Sequence, residues 1–194
     1  MIIAVTDRKN CKYPFLDQIE KIAKTHPHML ILREKDLSEY EYSILAEKCM
    51  GICSKYNVPL CINSFINVAS KLEIKNIQMP MPLLRLYSSE FTSFNSVGAS
   101  VHSLEEATEA AELGADHLIF GHIFKTECKP GIEPRGLKIL TEICENIDLP
   151  VFAIGGITAD NAPLVIKQGA AGICLMSSLM ILEDPASVIN SIHL

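Results

Sequence analysis

The sequence predicts an α/β protein with the compact TIM (β/α)8 barrel fold, in which residues 1–194 form a single domain. Short apolar runs alternate with longer amphipathic stretches from end to end, a pattern typical of parallel strands joined by crossover helices. Eight such units can be counted, and polar residues follow most of the apolar runs, as at the mouth of a barrel. With 194 residues, of which 48% are hydrophobic, the chain can build one sizeable core but has little room for inserted domains.

Eight short apolar segments are predicted to be the strands. They are Ile2–Thr6, Met29–Arg33, Val58–Asn63, Asn76–Met79, Ser96–Val101, His117–Gly121, Val151–Gly155 and Gly172–Met176. The unit at 65–90 is the weakest, because Pro80 and Pro82 interrupt any helix there and the stretch Leu83–Ser89 that follows is short. Since a strand count from one sequence is easily in error, an open doubly wound sheet is the alternative fold.

The stretches between the predicted strands have the periodicity of helices that pack against a barrel. Apolar residues recur at spacings of three and four, as in the stretch 45–56. Ser38 with Glu41, and Ser103 with Glu106, have the spacing at which an N-cap and the third helical residue satisfy each other's backbone donors. Both pairs therefore mark a junction between a loop and a helix.

Composition and charge exclude several classes of function. A formal net charge of −6 without a cluster of lysines and arginines disfavours a nucleic-acid partner. The N-terminal segment lacks the pattern of a signal peptide, and no apolar run approaches the roughly 18 residues of a membrane span, so we expect a cytoplasmic protein with no membrane partner. The 7 cysteines are odd in number and scattered, which favours reduced, mostly buried thiols over disulfides.

Glycines and hydroxyl groups follow the last two predicted strands, where barrels bind phosphate. Gly155 and Gly156 come after the seventh strand, and Ser177 comes after the eighth. Glycine lets backbone N–H groups approach an anion closely, and the dipole of the next helix favours negative charge. Two glycines alone usually make only a tight turn, but their place opposite Ser177 predicts a phosphate site.

A histidine at the end of the sixth predicted strand is the candidate acid–base group. His122 opens a polar loop in which Thr126 and Lys129 could hold a phosphate or a carboxylate, although such loops are often only solvated. The unperturbed pKa of imidazole, near 6.5, allows the ring to accept and return a proton close to neutral pH. An isolated histidine is more often a structural residue, so the hypothesis depends on the position of His122.

Alternating charges close the second predicted strand. Arg33 and Lys35 project to the same side of an extended backbone, which suits an anionic substrate. Glu34 and Asp36 lie between and after them, so a self-neutralised rim is an equally open interpretation. His102, after the fifth strand, is equally open between packing and the site.

Further polar residues at strand ends complete the candidate substrate contacts. Asn63 ends the third predicted strand, and Ser100 lies near the end of the fifth. The histidines are dispersed, and no cluster of carboxylates stands at an expected strand end, so no metal site is predicted.

Six short segments occur in a characteristic order along the chain. They are Val5–Asp7, Leu32–Lys35, Ser100–Ala107, Phe120–Phe124, Lys129–Gly131 and Ala153–Ile157. In this order they resemble the thiamine phosphate synthase superfamily, over residues 2 to about 182. The resemblance implies a compact (β/α)8 barrel that binds a small-molecule thiazole phosphate, with a homodimer as a candidate assembly.

The superfamily has two branches, and the sequence departs from the synthases, which act on a pyrimidine pyrophosphate with magnesium. Where a synthase has Asn-Asp after its third strand, this chain has Asn63 and Ser64. Where a synthase has His-Leu-Gly-Gln followed by acids, the segment 77–82 of this chain carries no acid. Because magnesium needs several oxygen ligands, commonly carboxylates, the comparison with the synthase pattern implies that its ligands are missing here.

The segment Phe120–Gly136 resembles instead the other branch, the TenI-type thiazole tautomerases of thiamine biosynthesis. Synthases often have a proline in the place of His122, whereas in the tautomerases a histidine there is the catalytic acid–base residue. The resemblance also implies which residues surround the phosphate and carboxylate of the substrate. They are Thr126, Glu127, Cys128, Lys129, Gly155, Gly156, Met176 and Ser177.

The resemblance leads to one functional hypothesis and two alternatives. The hypothesis is a thiazole tautomerase, an isomerase that needs no cofactor. In it, His122 removes the proton from ring C2 of a carboxythiazole phosphate, and a proton returns to the exocyclic carbon as the ring becomes aromatic. A divergent thiamine phosphate synthase is the first alternative, and a non-catalytic, regulatory binder of thiazole phosphate is the second.

Overall fold

The computed structural model describes residues 1–192, in which eight parallel strands close into a barrel in chain order. The strands are β1 (Ile2–Val5), β2 (Met29–Leu32), β3 (Leu60–Asn63), β4 (Asn76–Pro80), β5 (Ser96–Val101), β6 (His117–Gly121), β7 (Val151–Ile154) and β8 (Gly172–Leu175). Strand β8 pairs with β1, with Ile3 opposite Cys174, and this pairing closes the barrel. The predicted (β/α)8 fold is confirmed, and the open sheet is not observed.

Nine α-helices are found in residues 1–192, and most of them follow a strand. They are α1 (Phe15–Ala23), α2 (Glu39–Lys55), α3 (Ile66–Lys71), α4 (Met81–Tyr87), α5 (Leu104–Glu112), α6 (Gly136–Asn146), α7 (Ala162–Lys167), α8 (Ser177–Ile181) and α9 (Pro185–Ser191). Short 3-10 helices occupy Arg8–Asn10 and Ser88–Ser93. Among these described residues, no helix is both long and apolar enough to cross a bilayer.

The unit at 65–90 differs from its sequence-based prediction. Helix α4 begins at Met81, directly after β4, and Pro82 lies in its first turn. A proline is tolerated there, because the first N–H groups of a helix have no intrahelical partner and the fixed φ of proline suits a helix. The prediction that this proline interrupts the helix was therefore wrong.

Two apolar layers result from the alternation of side chains along the strands. One layer fills the inside of the barrel and contains Ile3, Val5, Met29, Ile31, Cys61, Ile119, Phe152 and Cys174. The other lies between the barrel and its helices and includes the helical residues Ile19, Tyr42, Leu84 and Leu140. Because the inner layer fills the middle of the barrel, open space is left only towards its two ends.

The two predicted helix caps form in different ways. Ser38 and Glu41 make the reciprocal capping box at the start of α2. At the start of α5 the Ser103 hydroxyl accepts the Glu106 N–H, but the Glu106 carboxylate bonds instead to the N–H of His102, at 2.7 Å. This second cap therefore ties a helix to the residue that precedes its N-cap.

All seven cysteines are free thiols, and four of them, Cys49, Cys53, Cys61 and Cys174, are buried. Cys128 is the exposed one. The prediction that most of the thiols are buried is confirmed.

Candidate functional site

A cavity of about 530 Å³ opens at the carboxyl ends of the strands, and every strand contributes to its wall. The sequence-predicted residues that line it are Arg33, Lys35, Asn63, Ser100, His122, Thr126, Cys128, Lys129, Gly155, Gly156, Met176 and Ser177. Glu127 does not line the cavity. The chain turns from Thr126 to Lys129, whose N–H donates to the Thr126 carbonyl at 3.1 Å, and within this turn the Glu127 side chain is left exposed to solvent.

The backbone around His122 is held from several sides. The His122 carbonyl accepts the Arg135 N–H at 2.8 Å, and the Ile123 N–H donates to the Ile154 carbonyl at 3.0 Å. Gly155 has a φ of +100°, and a Cβ atom there would lie 2.3 Å from the His122 Cβ. Only glycine tolerates both this φ and this close approach. The loop after β7 therefore packs directly against the candidate base.

The hydrogen bond of the His122 ring identifies the nitrogen that carries the lone pair. Nε2 lies 3.2 Å from the Ile132 carbonyl oxygen, which can only accept, so Nε2 carries the proton. In the neutral imidazole, Nδ1 is then unprotonated. Within residues 1–192 Nδ1 has no hydrogen-bond partner, and it is not sealed from solvent although the residue is only 7% exposed. Since His122 lines the cavity, Nδ1 is available to a ligand there.

The second glycine of the β7 loop is fixed by its neighbours. Gly156 has a φ of +67°, and a Cβ atom there would lie 2.5 Å from the Lys125 carbonyl oxygen. Asn161 ties the loop by donating from Nδ2 to the Gly156 carbonyl at 2.9 Å and accepting the Thr158 N–H at 2.8 Å. The backbone of both glycines is thus pressed against the loop that carries the candidate base.

Helix α8, rather than the helix after the glycines, begins next to the cavity. Helix α7 starts only at Ala162, so the helix dipole expected directly behind Gly155 and Gly156 is not there. Ser177 is the first residue of α8, directly after Met176. The Leu179 N–H donates to the Met176 carbonyl at 3.1 Å, while the N–H groups of Ser177 and Ser178 have no intrahelical partner. The start of α8 and the glycine loop therefore line the same cavity.

The charges that close β2 separate by side of the backbone. Arg33 and Lys35 line the cavity, and Arg33 Nη1 lies 4.0 Å from Met176 Sδ. Glu34 is buried on the other side, where it accepts the Thr6 hydroxyl at 2.6 Å and the Arg8 N–H at 3.0 Å. This burial raises the pKa of Glu34.

The contacts of Asp36, the other acid of this segment, agree with this separation. Asp36 accepts from Arg8 Nη2 at 2.8 Å and lies 3.4 Å from Lys9 Nζ. Neither Glu34 nor Asp36 pairs with Arg33 or Lys35 within residues 1–192. The self-neutralised rim is therefore wrong, and two cations remain free for an anion in the cavity.

Positive charge accumulates in the cavity after β2 and after β6. Partial desolvation, with the positive charges of Arg33 and Lys129, holds the pKa of Lys35 below 10.5. Lys125 also lines the cavity, and Glu106 is the one carboxylate that does so in the described part of the chain. An anionic ligand would relieve the repulsion among these cations.

The wall formed by β3, β4 and β5 is neutral. The Asn63 Nδ2 donates to the Ser64 hydroxyl at 2.7 Å, and the Gln78 Nε2 donates to the Ser100 hydroxyl at 3.0 Å. After Gln78 the wall continues through Pro80, Met81 and Pro82.

This donor set does not fit a magnesium pyrophosphate. Magnesium is bound through carboxylates and phosphates, whereas β3, β4 and β5 offer amide and hydroxyl groups, with the single carboxylate of Glu106 beyond β5. Within residues 1–192, no group of three or more histidine, cysteine or acidic side chains is arranged to hold a metal ion. The residues present are therefore suited to a ligand whose negative charge meets the cations that follow β2 and β6.

Six polar residues of the cavity were not among the predicted contacts: Gln78, His102, Glu106, Lys125, Thr158 and Ser178. His102 was left open between packing and the site, and its ring lines the cavity with Nδ1 2.8 Å from the Gly121 carbonyl oxygen. Glu106 was assigned only to a helix cap. The signal for His102 and Glu106 was their place directly after β5. The segment 77–82, which contains Gln78, was considered only for its lack of acidic residues.

A second cavity of about 280 Å³ lies at the amino ends of the strands. His28, Ser96, Asp116 and His117 are its polar residues, and no lysine or arginine side chain lines it. Burial lowers the pKa of His117 from 6.5 to about 4, with a smaller lowering by His28 and an opposing effect of Asp116. A histidine that stays neutral near pH 7 in an apolar wall is typical of a packing residue.

Comparison with known proteins places the barrel among enzymes of thiamine biosynthesis. The family model described as thiamine monophosphate synthase matches residues 2–179. The thiamine-phosphate synthase of Clostridium acetobutylicum is 35% identical over 181 residues, covering 91% of this chain and 85% of the relative. That of Clostridium novyi is 34% identical over 172 residues, covering 86% and 83%. The solved thiamine phosphate pyrophosphorylase from Pyrococcus furiosus has a TM-score of 0.86 and 28% identity, covering 98% of this chain and 92% of that one.

These findings bear differently on the two levels of the functional hypothesis. The superfamily expected from the six segments is confirmed by the family match. The finer assignment to the tautomerase branch is not confirmed, and the names of the two clostridial relatives agree better with the synthase alternative.

Proposed function

The chain belongs to the thiamine monophosphate synthase family, and from this premise we propose that it is a thiazole tautomerase, which aromatises a carboxythiazole phosphate. One observation carries the proposal: a fixed imidazole, His122, stands in a cavity that has cations after β2 and β6 and neutral polar groups on β3, β4 and β5. A proton transfer on an anionic substrate needs these two features and no metal.

The proposed reaction moves one proton and one conjugated set of electron pairs. In 2-carboxy-4-methylthiazol-5(2H)-ylidene ethyl phosphate, Nδ1 of His122 takes the proton from C2. The C2–H pair becomes the C2=N3 bond, the N3=C4 pair moves to C4=C5, and the pair of the exocyclic C5=C bond moves to the exocyclic carbon, where it takes up a proton. The balance needs no oxidant, reductant or cofactor. Aromaticity drives the step, and positioned acid–base catalysis contributes about 10²–10⁴-fold.

Two groups of residues hold the two anionic ends of this substrate in the proposal. The phosphate binds the backbone of Gly155 and Gly156 and the first turn of α8 at Ser177, since all three line one side of the cavity. The carboxylate binds Arg33 and Lys35, whose charges are unpaired in the described chain. Thr126, Cys128, Lys129, Asn63, Ser100 and Met176 complete the surroundings of the ring.

A divergent thiamine phosphate synthase is the second candidate, and the names of the relatives favour it. The neutral donors at Asn63, Ser64 and Gln78 do not fit the magnesium on which the synthases of the resembling branch depend. For this reason we place the tautomerase first and derive no step through a metal.

Two assays on one protein preparation distinguish the candidates. In the first, the unaromatised carboxythiazole phosphate is mixed with the protein at pH 8 and the ultraviolet absorbance is followed against the spontaneous reaction. In the second, the aromatic thiazole phosphate is mixed with the pyrimidine pyrophosphate and magnesium, and thiamine phosphate is quantified. We expect acceleration in the first assay and no product in the second. Product in the second assay alone would establish the synthase, and binding without turnover in either would establish a non-catalytic binder.

A further inference from the structure

His102 is the second histidine of the cavity, and its contacts lead to the backbone of the first. Its ring Nδ1 lies 2.8 Å from the Gly121 carbonyl oxygen. A carbonyl oxygen only accepts, so Nδ1 is the protonated nitrogen of His102. Gly121 is the residue directly before His122 and the last residue of β6. The ring of His102 therefore holds the peptide that joins the strand to the candidate base.

Gly121 is held equally closely on its other side. A Cβ atom at Gly121 would lie 2.3 Å from the Ile154 carbonyl oxygen, so β7 lies directly against it. The end of β6 is thus fixed between the backbone of β7 and the His102 ring. On the far side of His122, Gly155 and the Arg135 N–H hold the residue as described above. The hydrogen bond from His102 is the one contact of this set that a side chain supplies.

The backbone of His102 is itself fixed to the start of a helix. Its backbone N–H donates to the Glu106 carboxylate at 2.7 Å, and Glu106 is in turn bonded through its own N–H to the Ser103 hydroxyl at 3.2 Å. Both contacts belong to the first turn of α5, so the ring is carried by the start of a helix rather than by a free loop. His102 is exposed, so filling space in the core does not explain why its backbone is held in this way.

We infer that His102 is a positioning residue, which sets the orientation of the His122 imidazole by holding the Gly121 carbonyl. The inference rests on the proposed function for its kinetic consequence. A misplacement of about 1 Å at a reacting group can cost about 10²-fold in rate, so loss of this contact lowers kcat with little effect on KM. His102 acts through His122 and does not itself exchange a proton with the substrate.

The stereochemistry of asparagine supplies a matched variant. In His102→Asn the amide nitrogen takes the place of imidazole Nδ1, so the donor to Gly121 is kept and the titratable ring is lost. In His102→Leu both are lost. We expect His102→Asn to keep kcat within about threefold of the native value, and His102→Leu to lower it about 10- to 100-fold with KM within twofold.

A measurement without substrate separates failure of the inference from failure of the proposed function. The ring ¹⁵N chemical shifts of His122 report which nitrogen is protonated. We expect native protein and His102→Asn to show protonated Nε2, and His102→Leu to show a mixture of the two tautomers. These spectra decide the positioning role even if the native protein turns over no thiazole phosphate.

The opposing outcomes are equally specific. Unchanged His122 shifts and unchanged kcat in His102→Leu would overturn the inference. Equal loss of kcat in the Asn and Leu variants, with unchanged His122 shifts, would also overturn it and make His102 a proton-transfer group. Should the Leu variant not fold, His102→Gln replaces it, because the longer side chain places its amide nitrogen where Nε2 was.

Discussion

A single strand carries a histidine into each of the two cavities, and the two residues are prepared for different tasks. His117 is the first residue of β6, and His122 follows its last residue. At the amino end, His117 is 6% exposed in a wall without lysine or arginine side chains, and burial lowers its pKa to about 4. At the carboxyl end, the His122 ring has one protonated nitrogen fixed by a carbonyl and one nitrogen open to a cationic cavity. The loops at the strand end, more than the residue type, make a histidine available for chemistry.

The largest expected effect concerns the glycine that packs on His122. Gly155→Ala places a Cβ atom 2.3 Å from the His122 Cβ at a φ of +100°, whereas Gly114→Ala has a similar φ of +89° and meets nothing within 4 Å. We expect Gly155→Ala to lower the free energy of unfolding by about 2–5 kcal/mol, and Gly114→Ala by about 1–2 kcal/mol. Urea titration of both variants isolates the contact with His122 from the backbone strain. Equal losses in the two variants would show that the close approach is unimportant.

A second prediction asks whether the histidine at the amino end contributes only to stability. Because the pKa of His117 is about 4 in the fold and 6.5 is its ordinary value, the unfolded chain binds more protons between these limits. Stability is then fully present above pH 6.5 and is lost as the pH falls towards 4, by about 3 kcal/mol in all.

The variant His117→Asn removes this part of the pH dependence, so the free energy of unfolding should fall less steeply between pH 6.5 and 4. The exposed residue His28, in the same cavity, provides the comparison, since His28→Asn keeps His117 and removes only the smaller lowering of its pKa by His28, so most of the native slope should remain. Urea unfolding at a series of pH values measures both. A His117→Asn slope equal to that of the native protein would contradict the assignment.

The smallest expected effect tests the cations at the carboxyl end. Since partial desolvation and the charges of Arg33 and Lys129 lower the pKa of Lys35, its positive charge is lost at a lower pH than that of an ordinary lysine. Affinity for an anionic ligand should therefore weaken as the pH rises through that pKa. Lys35→Met should weaken binding about tenfold at pH 7, which corresponds to ~1.4 kcal/mol.

The matched control is Lys35→Arg, because a guanidinium stays charged over the whole range and should give a flatter pH dependence. Calorimetry with the aromatic thiazole phosphate between pH 7 and 10 provides the comparison. If Lys35→Met binds as tightly as the native protein at every pH, Lys35 has no part in anion binding.

Local sequence patterns predicted the strands of the barrel well. Each strand was found within two residues of its predicted bounds, since buried parallel strands are short, nearly continuous apolar runs. The period of two of an extended backbone likewise placed Arg33 and Lys35, which follow β2, in the cavity wall. The error at α4 arose because Pro82 was read without knowing that it falls in a first turn, where proline is tolerated.

The residues that line the cavity were harder to predict from the sequence, because the lining depends on distances across the barrel. The Gln78 side chain, 2% exposed, reaches the cavity by donating to Ser100 on the next strand, a contact that no local pattern contains. His102 was identified as a strand-end residue, yet only the fold brings its ring to the Gly121 carbonyl. Glu127 was predicted to contact the substrate because its neighbours were, but the chain turns at this point and leaves the Glu127 side chain in solvent, outside the cavity.

The most direct test of the account is the ratio of kcat/KM for the native protein and His122→Ala at pH 8, measured on the unaromatised carboxythiazole phosphate. Binding of the aromatic product is measured in parallel by calorimetry. The account predicts a loss of about 10²–10⁴-fold in kcat/KM with product affinity within threefold, because the imidazole supplies proton transfer rather than binding. A variant that retains the native rate would contradict the role of His122 and with it the tautomerase assignment.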